Sequence, residues 1–158
     1  MKGTLLADEA ATLDFAAQLA RALPAGAAPL VLHLHGELGA GKTTLARGML
    51  RALGETGPVR SPTYALLSEY MPPGGRVVHL DLYRLAGADE LLALGLGDYL
   101  PDSRLWLVEW PDRAGGAGLP AADASVRIEV DASGRRVLLV PHTAVGQRWV
   151  TRVCADAG

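Results

Sequence analysis

Apolar residues recur at helical spacing over residues 8–23, where Leu13, Ala16, Ala17, Ala20 and Leu23 share one face. Asp8 stands at the position of an N-cap acceptor, and Pro24 and Gly26 close the segment. The apolar run LVLHL at 30–34 predicts a short strand buried on both faces. A glycine-rich stretch separates it from a second predicted helix at 42–53, with Gly54 placed to end it. The pattern then shifts to pairs of strands. Residues 64–71 and 76–82 flank the turn sequence PPGG, and residues 125–130 and 135–140 flank DASG. Each pair predicts an antiparallel hairpin. Between the hairpins lie a short helix at 88–94, an apolar strand at 104–109 and the loop PDRAGGAGLPAAD. A last helix begins near Thr143. The expected fold class is α/β, one domain over residues 1–158. Its mixed central sheet contains antiparallel hairpins and carries helices on both faces.

Composition narrows the choices. The chain has 158 residues, 49% hydrophobic and 20% charged, which is the balance of a globular protein. Its net charge of −2 disfavours a protein that coats DNA or a membrane surface, since non-specific phosphate binding needs a basic face. The single cysteine, Cys154, excludes an internal disulfide and fits a reducing cytoplasm. The N-terminal residues carry no signal-peptide pattern, and no apolar run reaches the roughly 18 residues of a membrane span. Only Lys2 and Lys42 are lysines, whereas thirteen positions are arginine.

The chemistry concentrates after the first long strand. Residues 36–43, GELGAGKT, match the Walker A pattern G-x-x-x-x-G-K-[ST], between a predicted strand and a predicted helix. Glycines let successive backbone N–H groups turn inward on phosphate oxygens, and the helix N-terminus adds partial positive charge. Lys42 is expected to reach the terminal phosphates and Thr43 to ligate Mg²⁺. A lysine at this place in an arginine-rich chain supplies a compact point charge that a planar guanidinium would not. Open α/β sheets bind ligands beyond the carboxyl ends of their strands. Asp81 ends VVHLD and Glu109 ends LWLVE, so both are candidate catalytic and metal-binding carboxylates beside Lys42. Ser61-Pro62-Thr63-Tyr64 occupies the place of a nucleotide-sensing switch segment, and Arg84 and Trp110 are further candidates. His33, His35, His79 and His142 do not form a convincing metal set and read as packing or hydrogen-bonding residues.

HGELGAGKTTLARG, VRSPTYAL, HLDLYRL and LVEWPDR follow one another in an order that closely resembles the TsaE (YjeE) family, over residues 8–140. Glu37 stands where that family more often has Asp, and Tyr64 where Phe is common. The resemblance implies a P-loop NTPase-like fold and an ATPase of bacterial tRNA threonylcarbamoyladenosine modification. Such a protein uses ATP and Mg²⁺ and acts on the TsaD–TsaB complex to permit repeated turnover, meeting tRNA only indirectly. Carried over by residue, Gly39, Ala40, Gly41, Lys42, Thr43 and Thr44 hold phosphates. Thr43, Glu109 and Asp81 surround the metal, Thr12 touches the base, and Arg135 or, preferentially, Arg136 lies near the nucleotide. Two other readings stay open at this level: a nucleotide-gated binding module with incidental hydrolysis, and a small-molecule kinase. A kinase would need an arginine-bearing lid, and the 112–123 loop has only Arg113.

Overall fold

The computed structural model describes residues 3–26, 29–116 and 118–158. Its elements in chain order are β1 (Thr4–Leu6), α1 (Glu9–Arg21), β2 (Leu30–His35), α2 (Lys42–Ala52), β3 (Leu67–Tyr70), β4 (Arg76–Asp81), α3 (Ala88–Ala93), β5 (Ser103–Glu109), β6 (Ala124–Asp131), β7 (Gly134–Pro141) and α4 (Ala144–Asp156). Asp8 caps α1 by accepting from the Ala11 N–H, and Thr143 caps α4 by accepting from Gly146 N–H. The seven strands form one sheet in the order β1-β7-β6-β2-β5-β4-β3. β6, β2, β5 and β4 run parallel, while β1, β7 and β3 join antiparallel. Both expected hairpins, β3–β4 and β6–β7, are present.

Strand alternation divides the core in two. Leu30, Leu32 and Leu34 of β2 pack with Leu105 and Leu107 of β5 beneath α1, α2 and α4. Val31, Trp106, Val78 and Leu80 face the other way, where Leu91 of α3, Leu96 and Ala114 cover them. Trp149 of α4 is buried and its indole N–H donates to the Leu19 carbonyl at 2.9 Å, so the last helix is tied to the first. The α1–α2 contact closes at Gly48. A Cβ there would lie 2.7 Å from the Ala16 Cβ, so a larger residue would push apart the two helices that flank the P-loop. Asp123 anchors β2 from outside the strand, accepting from Val31 N–H at 2.9 Å and from Thr143 Oγ1 at 2.8 Å. Among the described residues no helix is long and apolar enough to cross a membrane.

Two expectations need correction. The strand expected over 64–71 begins only at Leu67. Leu66 N–H donates to the Pro62 carbonyl and Leu66 sits at φ +65°, so 62–66 closes into a turn although Tyr64, Ala65 and Leu66 are apolar. The three-residue β1, which pairs Thr4–Leu6 with Arg135–Val137, has no counterpart in the sequence pattern.

Candidate functional site: the loop between β2 and α2

β2 delivers the chain to the loop with its last carbonyls beside β5 and β6. Gly36 then passes so close to β6 that a Cβ would lie 2.7 Å from the Ile128 carbonyl oxygen. Gly41, at φ +112°, starts α2 in a conformation that an L side chain would strain. Lys42 is the first residue of α2 and is 4% exposed. Its Nζ donates to the Gly36 carbonyl and, at 2.9 Å, to that of Glu37, and lies 4.3 Å from the centroid of the Trp110 ring. Burial pulls the Lys42 ammonium below its ordinary pKa, and Glu109, Asp81 and Glu37 oppose that shift. The side chain thus folds back on its own loop, a charged donor with neutral acceptors.

The acids come from adjacent parallel strands. Asp81 of β4 stands opposite Glu109 of β5 in register. Thr43 Oγ1 donates to Glu109, with its oxygens at 2.9 and 3.1 Å. Asp81 accepts from Ser61 Oγ at 2.8 Å and from Tyr83 N–H at 3.1 Å. Ser61 and Thr63 hydroxyls are 3.0 Å apart, so the SPTY turn is fastened to the end of β4.

Two of the pockets that border the loop meet at its C-terminal half. One, of about 270 Å³, is lined among others by Gly41, Lys42, Thr43, Asp81, Glu109 and Trp110. The other, of about 250 Å³, lies toward Thr12 and Arg135 and shares Gly39, Gly41 and Thr44 with the first. Ala40 also lines the second. The first offers hydroxyl and carboxylate oxygens beside a cation, which suits a hydrated divalent ion carrying phosphates. The second adjoins it across Gly39, Gly41 and Thr44.

A sequence model of the family described as "Threonylcarbamoyl adenosine biosynthesis protein TsaE" matches residues 6–138. The chain belongs to the TsaE family. A protein of Haemophilus influenzae named tRNA threonylcarbamoyladenosine biosynthesis protein TsaE is 42% identical over 122 residues, 77% of each chain. One of the same name from Streptomyces coelicolor is 40% identical over 141 residues, 85% of this chain and 90% of its own. The fold matches a crystal structure of Bacillus subtilis YdiB with a TM-score of 0.77 at 24% identity, covering 99% of this chain and 95% of that one.

The TsaE match spans the loop and both strand-end acids. Thr12 is buried and lines the second pocket, its hydroxyl directed to the Asp8 carbonyl at 3.3 Å. Arg136 does not reach the site. It is exposed and pairs with Asp131 at 3.1 Å, because neighbours on a strand point to opposite faces. Arg135 is the arginine at the loop, donating from Nε to the Ala40 carbonyl at 2.9 Å and from Nη2 to that of Gly39 at 3.3 Å. Arg84 lies outside the pockets, 4.8 Å over the ring of Tyr64. Trp110 turns at φ +56° and brings its ring between Lys42 and Tyr83. His33 meets the Pro120 carbonyl at 3.2 Å and His142 meets Ser125 at 2.8 Å, both away from the loop. His79 differs, with Nε2 2.6 Å from Glu109 Oε2, a contact that the spacing of the histidines offers no means to find.

Proposed function

We propose that this protein is a Mg²⁺-dependent ATPase of tRNA threonylcarbamoyladenosine biosynthesis, acting on the TsaD–TsaB complex in the cytoplasm so that it can turn over repeatedly. The observation that carries the reading is the meeting of Lys42, Thr43, Asp81 and Glu109 in one pocket at the N-terminus of α2. In this reading the backbone N–H groups of residues 39–44 hold the phosphates, and Lys42 exchanges the carbonyls of its own loop for phosphate oxygens. Thr43, Glu109 and Asp81 are the oxygen donors that would hold magnesium. Bound there, the metal would neutralise charge that builds on the transferring phosphoryl group. A carboxylate oxygen that the metal leaves free accepts a hydrogen bond from the attacking water and aligns it. Thr12 and Arg135 border the space for the nucleoside.

Arg135 then acts by fixing the loop carbonyls. Arg135→Ala removes the donor to the Ala40 and Gly39 carbonyls and is expected to weaken ATP binding about tenfold, roughly 1.5 kcal/mol, and Arg136→Ala to leave it unchanged. Titration calorimetry of both variants checks this, and the opposite ranking would return the role to Arg136.

Partner action rests on the surface beside Asp81. Tyr64 is 84% exposed and stacked under Arg84, directly after the Ser61–Thr63 pair that holds the strand-end acid. Docking there would reach the catalytic carboxylate through two hydroxyls. Steady-state phosphate release is expected to rise at least about tenfold when TsaD–TsaB is added, by repositioning of this turn. Equal rates with and without the pair would reject activation, and no release in either condition would leave a nucleotide-gated binding module.

A further inference from the structure

His79 lies at the centre of β4, with Val77, Val78 and Leu80 around it on the strand, and is itself 0% exposed. The fold gives no reason for a polar side chain here, since an apolar residue would complete the strand. The imidazole is also incompletely satisfied. Nε2 is 2.6 Å from Glu109 Oε2, while Nδ1 is buried with no hydrogen-bond partner among the described residues. An ionised carboxylate only accepts, so against Glu109 the ring presents Nε2–H, and Nδ1 is the nitrogen left without a partner. A buried polar atom without a partner costs stability, and residues that carry such a cost mark functional sites.

We propose that His79 is a positioning residue that holds the Glu109 carboxylate in the orientation from which it serves the metal and the attacking water. The inference rests on the Mg²⁺-ATPase reading above. Glu109 ends in a carboxylate whose last torsion is soft, so a fixed plane needs external contacts. Two are present, the Thr43 hydroxyl and His79 Nε2. Thr43 is itself one of the donors assigned to the metal, so its hydrogen bond to Glu109 is the one that yields when the site fills. His79 belongs to no other part of the machinery. Its backbone is fixed by pairing with Ser68 on one side and Leu107 on the other, so its contact persists in both states. Hydrogen bonds to metal-bound carboxylates tune affinity and activity by about ten- to a hundredfold in metal sites generally.

The test compares His79→Gln with His79→Asn. A Gln amide nitrogen takes the place of Nε2, and an Asn amide nitrogen that of Nδ1, so both variants bury an amide and only one can reach Glu109. Four measurements are made: the melting temperature without nucleotide, ADP affinity in EDTA, the gain in affinity on adding Mg²⁺, and kcat and KM of phosphate release with TsaD–TsaB. His79→Gln is expected to keep most of the Mg²⁺ gain and of kcat. His79→Asn is expected to lose roughly tenfold in both, with KM and EDTA affinity close to wild type. Equal behaviour of the two variants, or losses that follow melting temperature, would overturn the role. Wild-type protein that shows no Mg²⁺ gain would instead overturn the metal reading itself. If the variants do not fold, ¹⁵N spectra of the wild-type imidazole decide the matter: an Nε2–H tautomer at His79 is expected, and an Nδ1–H tautomer would overturn the proposal.

Discussion

Lys42→Ala is expected to lower ATP affinity by roughly ten- to a hundredfold and ADP affinity by less, as titration calorimetry would show. The difference between the nucleotides comes from the γ-phosphate, which a P-loop lysine meets with a charge-assisted hydrogen bond of about 1.5–3 kcal/mol. ADP affinity does not stay untouched, because Lys42 also holds the carbonyls of Gly36 and Glu37. Removing it takes a donor from both loop carbonyls, of which Glu37 keeps the Ala40 N–H, and takes a cation from the face of Trp110. Water reaches such carbonyls more readily than it replaces a point charge at a phosphate, so the ATP loss is the larger. Burial pulls the Lys42 pKa down, and an arriving anion offsets that desolvation cost, which adds to the preference for the more highly charged nucleotide. Unchanged ATP affinity in this variant would exclude the loop as the phosphate site.

Glu109→Gln should reduce phosphate release in the full complex by about a hundredfold while ADP remains bound. The substitution keeps length and shape, and its amide oxygen still accepts from Thr43. What it removes is the charge that faces the metal and the proton that leaves the attacking water. Such a group acts in the transition state, so kcat falls and ground-state binding does not. Asp81→Ala should slow turnover as well, because it frees Ser61 and the turn behind it. Single-turnover measurements separate this from slow product release. Wild-type rates in both carboxylate variants would show that the strand ends of β4 and β5 carry no catalysis.

Much of this site could be read from the chain. A glycine-rich loop with a lysine and a threonine between an apolar strand and a helix is legible as a candidate phosphate loop, and the structure gathers Lys42 and Thr43 with Asp81 and Glu109 in one pocket. An acid that ends an apolar run must emerge at the rim of the sheet, which is where Asp81 and Glu109 stand. What escaped depends on register. Arg135 and Arg136 are neighbours, and only the pairing of β7 with β6 and β1 decides which of them faces the loop. The approach of His79 to Glu109 is set by the parallel pairing of β4 with β5, across 30 positions of sequence. Tyr64 to Leu66 look like strand because they are apolar, yet their backbone hydrogen bonds go into a turn that brings Ser61 to Asp81. β1 is too short for alternation to appear.

The two outermost strands, β1 and β3, are three and four residues long. A free strand edge is a row of unsatisfied amides on which another polypeptide can assemble, and long flat edges seed fibrous aggregates. Here each border offers barely one repeat of that template, and β3 adds the charged Glu69, half exposed and 3.7 Å from Arg76. A seven-stranded sheet built largely of Val and Leu is thereby kept from propagating sideways. In the proposed function, recruitment by the partner pair would then fall to side chains at the rim, through contacts that form and release, rather than to an added strand.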